Sequence, residues 1–350
     1  MIIEERVRCL EDYLHRLIKE GVFPGASFSL LDQEHSCMGF LGKAQMIPES
    51  IPVEEDTIYD LASLTKVIAT TSCIMLLIER GYITLDTEIC EILPLCSQRD
   101  ICIRHLLTHT SGLDADIDWT NMNKEQLLHG VYNSSIKPSR FEKEVVYSDI
   151  GFILLGLIIE QLTGSFEEFV QKNLFKPLKM KETFFNPKEA YIKRCAATEF
   201  CELRNEIIRG VVHDEKAYLL GGIAGHAGLF STIGDITNFV KMYLKDGVFE
   251  EQRILNQSTI SLMASSYTPY ANSERGLGWM LNRKTNIFCD AAGERTLYHT
   301  GFTGTSIIID LDNKKGFVLL TNRVHPTRKN TKLIDLRRHI HNMAFSAIQQ

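Results

Sequence analysis

A serine stands three residues ahead of a lysine in Ser63-Leu64-Thr65-Lys66, at the start of a stretch that is apolar nearly all round. On a helix, positions i and i+3 share a face, so this spacing brings a hydroxyl beside an ammonium. A serine hydroxyl is a weak nucleophile until a neighbour takes its proton. Lysine can do so only where burial or a nearby cation lowers its pKa. In a first helical turn the hydroxyl also lies near the positive end of the peptide dipoles, which favours an oxyanion. Ser-x-x-Lys often arises by chance, usually as an N-cap serine beside a solvated lysine. Here Val67, Ile68, Cys73, Met75, Leu76 and Leu77 leave Lys66 no polar face on which to be solvated.

Two further clusters carry chemistry. Tyr147-Ser148-Asp149 follows Val145-Val146 and precedes an apolar helical run. His299-Thr300-Gly301-Phe302-Thr303-Gly304 lies at the end of a predicted strand, where a glycine lets another chain lie close. His105 and His109 have the spacing of a zinc pair, but no glutamate follows His105 as a base and no third ligand is suggested. No metal and no organic cofactor is expected. His213-Asp214 and His226 sit among Gly221, Gly222, Gly225 and Gly228 without a G-x-x-x-x-G-K-[ST] phosphate cradle, so this segment reads as a loop along a site wall. His339 and His341 read as surface residues.

The elements that must position these groups follow from periodicity. Val7, Leu10, Leu14 and Leu17 make one face of a helix that stops at Gly21. Ala26–Leu31 and Cys37–Leu41 are strand candidates joined by a polar turn. From Ser63 to Ala264 the pattern is mainly helical: Ser63–Arg80, Ile101–Leu107, Ile150–Leu162, a helix opened by the Ser165 capping box, Asp235–Leu244 and Gln257–Ala264. Strand candidates return at Gly276–Leu281, Thr296–His299, Ser306–Asp310 and Phe317–Thr321, before a last helix carrying Leu333, Leu336, Ile340, Met343 and Ala347. The expected architecture is α+β. Residues 1–62 and 270–350 form an α/β domain with an antiparallel sheet, residues 63–269 form an inserted, mainly helical domain, and the site lies at their interface.

The three motifs, in this order, make the chain resemble the serine β-lactamase and penicillin-binding-protein superfamily, especially its class C-like β-lactamase, esterase and D-amino-acid peptidase branch. That family is marked by Ser-x-x-Lys, then Tyr-x-Asn, then Lys-Thr-Gly or His-Thr-Gly. Asp56–Lys66, Ile103–Leu113, Val211–Thr232 and Leu320–Pro326 also look like that branch, so the resemblance runs from about Pro24 to Pro326. It implies a β-lactamase/transpeptidase-like fold, with the sheet flanked by the N- and C-terminal helices. It implies Ser63 as an acylated nucleophile, Lys66 as the group that accepts or relays its proton, and Tyr147 as partner base and then acid. The oxyanion would rest on the backbone N–H groups of Ser63 and Phe302, and Thr300 with His299 would bind a substrate carboxylate beside Gly301. Arg323 and His325, which follow a strand, are candidates to reach the same carboxylate. The reaction implied is hydrolysis of a β-lactam, D-alanyl peptide or short-chain ester, a small molecule or short peptide in each case. The alternative is a covalent binding or sensing protein on the same fold with negligible turnover.

Two residues depart from the family pattern. Asp149 replaces the asparagine; ionised, it cannot donate to a substrate carbonyl, and it would hold Lys66 protonated. The base role therefore shifts toward Tyr147, and Asp149 is expected to favour a substrate amine. His299 replaces lysine, so carboxylate binding is expected to weaken as pH rises past neutrality.

Composition bounds the rest. The 350 residues are 44% hydrophobic and 23% charged, which excludes disordered and low-complexity classes. Lys and Arg total 38 against 44 Asp and Glu, a net charge of −6, so nucleic acid is not an expected partner. The longest apolar run, Ile150 to Ile159, falls short of the ~18 residues a membrane span needs. The nine cysteines contain no C-x-x-C pair, and the N-terminus has charges where a secretory signal has an apolar core. The expected location is the cytoplasm.

Overall fold

The structure is a computed structural model that describes residues 1–202, 205–283 and 285–349. Its centre is a seven-stranded antiparallel sheet in the spatial order Met280–Leu281, Thr296–Thr300, Ser306–Asp310, Lys315–Thr321, Gly25–Leu31, Ser36–Gln45, Ile51–Pro52. The two ends of the chain meet within it, with Ala26 opposite Thr321 and Leu30 opposite Phe317. Alternate residues point to opposite faces, and both faces are buried. Ile307, Ile309, Val318 and Leu320 join one core, while Ile308, Phe317 and Leu319 join the other. This explains why these strands read as continuous apolar runs rather than as alternating ones.

Helices Glu4–Lys19 and Leu333–Ser346 cover the second face with Val7, Leu10, Leu14, Leu17, Ile340, Ala344 and Phe345. His341 lies within this layer rather than on the surface. It is fully buried, with Nδ1 2.9 Å from the Phe288 carbonyl and its ring edge-on to Tyr298 and Phe317. Helix Ile233–Leu244 lies on the first face, against Gly25–Leu31, Ser306–Asp310 and Lys315–Thr321. The larger core continues from there through Ser72–Glu79 and Asp149–Thr163.

Several elements differ from expectation for local reasons. The segment read as a helix over Ser63–Arg80 begins with tight turns, Leu64 N–H to Leu61 O and Lys66 N–H to Ser63 O. It then widens into a π-helical turn over Lys66–Thr71 before becoming α-helical over Ser72–Glu79. Such irregular turns concentrate at functional sites. The mainly helical region also holds a three-stranded sheet of Tyr59–Asp60, Leu229–Ser231 and Phe184–Phe185, and a hairpin of Ala197–Cys201 with Glu206–Arg209. The two-residue strands Tyr59–Asp60 and Phe184–Phe185 carry too few residues for a period-2 signal. The candidate strand Gly276–Leu281 contracts to Met280–Leu281. Before it, a Cβ at Gly278 would come within 2.2 Å of Thr71 Oγ1, so the chain threads between elements instead of pairing. All nine cysteines are free. Among the described residues no single helix is long and apolar enough to cross a membrane.

Candidate active site

Ser63 stands immediately before the π-helical turn, held from behind by a buried carboxyl. Asp60 accepts the N–H of Ala62 at 2.8 Å and that of His213 at 2.7 Å, tying the serine segment to the wall loop. Between them Ala62 takes φ +46°, a left-handed conformation that costs a non-glycine residue energy and recurs at active sites. Lys66 is completely buried, and its Nζ lies 3.0 Å from Ser63 Oγ, 2.9 Å from the His226 carbonyl and 2.8 Å from Asp149 Oδ1. Burial pulls the lysine pKa down, but Asp149 and then Tyr147 carry it above the ordinary value. Lys66 is therefore an ammonium.

Tyr147 precedes Ser148, whose hydroxyl caps helix Asp149–Thr163 by accepting the Gly151 N–H. The phenol is about one-third exposed, and its ring is surrounded. His109 lies at 4.7 Å and His299 at 6.0 Å between ring centres, Lys66 Nζ at 5.0 Å and the Arg275 guanidinium carbon at 5.7 Å. His109 is fixed by accepting the Ser148 N–H on Nδ1. His299 is buried, with Nδ1 2.9 Å from the Thr300 carbonyl. Burial, then Arg275 and Lys66, hold its pKa well below the usual histidine range. A neutral, buried imidazole cannot supply the cation expected to grip a carboxylate or make that grip fade above neutrality.

The turn after His299 is fastened to the serine segment. Thr303 Oγ1 donates to the Asp60 carbonyl at 2.7 Å and Thr305 Oγ1 to that of Leu61 at 3.1 Å. A Cβ on Gly301 would approach Thr305 Oγ1 to 2.2 Å and Leu61 O to 2.4 Å, so only glycine fits. Thr300, the last strand residue before this turn, is partly exposed and pairs with Ser306. Phe302 stacks on His213 with ring centres 5.6 Å apart. Among the described residues, neither the Ser63 nor the Phe302 backbone N–H hydrogen-bonds to another protein group.

Arg323 and His325 are spent elsewhere. Arg323 Nη1 donates to the Asn330 carbonyl at 2.6 Å while its guanidinium covers Phe302. His325 has Nδ1 2.8 Å from the Thr198 carbonyl and accepts the Met46 N–H on Nε2 at 2.9 Å. Neither lines the cleft at Ser63, so the carboxylate-reaching role drawn for them has no geometry behind it.

That cleft has a volume of about 240 Å³ and is lined by Ser63, Tyr147, Asp149, His213, Lys216, Phe302 and Arg328, among others. Asp149 does not face it as a free carboxylate. Lys66 holds one oxygen and Lys216 lies 3.4 Å from the other, while Lys216 also pairs with Asp116 at 3.1 Å and Asp214 at 3.5 Å. His226 Nε2 completes the group 2.8 Å from Asp214. Asp149, Asp214 and His226 are close enough to share a cation, and the Lys216 ammonium already sits against both aspartates. Burial raises the Asp149 pKa, but Lys66, His226 and Lys216 more than reverse it. Two lysines therefore already sit against Asp149, which still lines the cleft where a substrate amine would approach.

Sequence reading missed Asp60, Lys216, Arg275 and Arg328. Asp214-Glu215-Lys216 carried one usable signal, an N-cap aspartate opening a helical turn at the glycine-rich wall. Arg275, between Glu274 and Gly276, carried none.

A sheet closed by both chain ends, with Ser-x-x-Lys, a phenol and a glycine turn converging on one cleft, defines a recognised architectural class. A solved class C β-lactamase superposes with a TM-score of 0.78 at 18% identity, covering 99% of this chain and 97% of that one. EstCE1, described as a hydrolase with promiscuous acyltransferase activity, does so with a TM-score of 0.73 at 20% identity, covering 94% and 98%. In sequence, a putative D-alanyl-D-alanine carboxypeptidase of Escherichia coli strain K12 is 31% identical over 80% of this chain and 72% of its own length. The Beta-lactamase family profile matches residues 10–342, and the chain belongs to that family.

Proposed function

We propose that the protein is a serine hydrolase that cleaves an amide or ester through an acyl-enzyme on Ser63, with a β-lactam, D-alanyl peptide or short-chain ester as substrate. The observation that carries this reading is Lys66, fully buried with its ammonium 3.0 Å from Ser63 Oγ, beside two backbone N–H groups that no protein group uses. A protonated lysine cannot take the serine proton, so the role of proton acceptor falls to Tyr147. As Ser63 Oγ bonds to the substrate carbonyl, its proton passes to the Tyr147 oxygen. The tetrahedral oxyanion rests on the N–H groups of Ser63 and Phe302, where preorganised donors give their largest benefit. Tyr147 then returns the proton to the leaving oxygen or nitrogen. Water repeats the sequence on the acyl-enzyme and frees Ser63. Thr300 and Gly301 form the strand end along which the substrate backbone lies.

Intact mass spectrometry after incubation with a penicillin and with a neutral nitrophenyl ester tests this. The wild type is expected to gain the acyl mass and Ser63→Ala to gain none. An equally active Ser63→Ala, or an acyl mass carried on a residue other than Ser63, rejects the reading.

A further inference from the structure

Arg275 is a buried cation with no acid beside it. The residue is 4% exposed, its Nε and Nη1 have no hydrogen-bond partner, and no carboxylate among the described residues pairs with it. Burying an unpaired charge is unfavourable, and burial pulls this guanidinium down to about 10. The one titratable neighbour that favours its charge is Tyr147, whose ring centre lies 5.7 Å away. The placement is enforced by the backbone. The Arg275 N–H donates to Thr268 Oγ1 at 2.8 Å, its carbonyl accepts from Tyr267 at 2.9 Å, and the Gly278 N–H donates to Leu107 O at 2.9 Å.

Every charged or titratable group packed on the same ring fits one pattern. Lys66 is an ammonium at 5.0 Å, partnered on its other side by Asp149. His109 and His299 are both kept neutral by burial, then by Arg275, then by Lys66. The ring is thus flanked by two cations and two neutral imidazoles, and among the described residues Arg275 has no carboxylate partner.

We propose that Arg275 is a positioning residue whose charge, together with that of Lys66, supports Tyr147 as the acceptor of the Ser63 proton. The assignment rests on the reading of Tyr147 as the base. Arg275 neither gains nor loses a proton. When Ser63 gives its proton to Tyr147, negative charge develops on the tetrahedral oxyanion, and it leaves the oxyanion as Tyr147 protonates the leaving group. The motif residue after the strand, His299, is neutral here, so the second cation comes from a different segment of the chain.

The test uses a neutral nitrophenyl ester, so that no substrate carboxylate competes, on wild type, Arg275→Met, Arg275→Lys, Tyr147→Phe and Tyr147→Phe/Arg275→Met. Arg275→Met is expected to lower kcat about 100-fold with KM nearly unchanged, within the range for losing general-base function. Arg275→Lys should recover at least about tenfold of that loss, since it restores charge without the fork geometry. The double variant should be no slower than Tyr147→Phe alone, because residues acting as one unit do not add. Losses that multiply in the double variant, a change confined to KM, or no advantage of Lys over Met would each overturn the assignment. Should Arg275→Met not fold, Arg275→Lys decides: a kcat loss that vanishes on the Tyr147→Phe background supports it, and the same loss on both backgrounds overturns it. Ester turnover by Ser63→Ala is followed in parallel. An equally active Ser63→Ala removes the acyl-enzyme reading itself, whereas an inactive Ser63→Ala with multiplying losses removes Arg275 alone.

Discussion

Lys66 stands between two groups of charge that are built in opposite ways. On one side Asp149, Asp214 and Asp116 converge on Lys216, with His226 against Asp214, and each charge meets its opposite within 3.5 Å. On the other side Tyr147 is enclosed by Arg275, His109 and His299, where a cation has no acid and the imidazoles are held neutral. In the first arrangement each charged group has an opposite charge in contact. The second is unfavourable as it stands, because no carboxylate among the described residues faces its cation. Groups whose charge is perturbed in this way are more frequent at functional sites than elsewhere.

The sharpest way to break this contrast is to remove the residue common to both sides. Lys66→Met takes away the partner of Asp149 and one of two cations at Tyr147. Ester turnover is expected to fall by about 10³-fold, within the range for acid–base groups. A loss under tenfold would mean that neither group depends on Lys66. Next comes Lys216→Met, which acts on the matched side alone. It leaves three aspartates facing one another around an apolar side chain, and removing one partner of a buried pair costs about 4 kcal/mol. Urea unfolding measures this. Asp149→Asn combined with Lys216→Met should recover part of the loss, because the two sites share a contact. Strict additivity would show that Lys216 is not what balances Asp149.

The sequence made the Lys216 side hard to see and the cluster of Ser63, Lys66 and Tyr147 easy. Ser63, Lys66 and Tyr147 were legible because two of them share a helical spacing and all three abut long apolar runs. The sheet was legible at Ser306–Asp310 and Gly25–Leu31, where β-branched and aromatic residues bury on both faces. His299 was legible as a motif but not as a neutral group, since its charge depends on burial and on Arg275, which arrives from elsewhere in the chain. Arg323 and His325 had the right chemistry, but backbone carbonyls that no pattern announces had already claimed them. His341 sat at a helix position whose face only the packing of Leu333–Ser346 decides.

His341 also sharpens the comparison, because it is a neutral buried histidine outside the cleft, with the Arg337 guanidinium as its charged neighbour. Burial holds its folded pKa at about 4, against the ordinary ~6.5. As pH falls below 6.5 the unfolded chain takes up a proton that the folded protein refuses. The stabilisation is therefore complete above pH 6.5 and is lost progressively toward pH 4. At about 1.4 kcal/mol per pH unit the loss approaches 3 kcal/mol, and His341→Asn should flatten that slope in unfolding measured from pH 7 to 4. His109 and His299 shift in the same direction, so some acid lability survives the substitution. An unchanged slope would place the acid sensitivity wholly around Tyr147.

The smallest effect concerns the mouth of the cleft. With His299 neutral and Arg323 and His325 committed to the backbone, Arg328 is the half-exposed cation lining the cleft. It is bound to Glu199 at 2.5 Å and to Glu215 at 2.6 Å, so part of its capacity is already used. Solvent screening reduces the remainder, and a surface ion pair of this kind contributes under about 1 kcal/mol. Arg328→Ala is accordingly expected to raise KM by roughly fivefold for a peptide ending in a D-alanyl carboxylate and to leave a neutral ester unchanged. The measurement is the ratio of the two KM changes. Equal changes on both substrates would mean that Arg328 serves only to hold Glu199 and Glu215, which would make this corner of the cleft a third matched group rather than a point of substrate recognition.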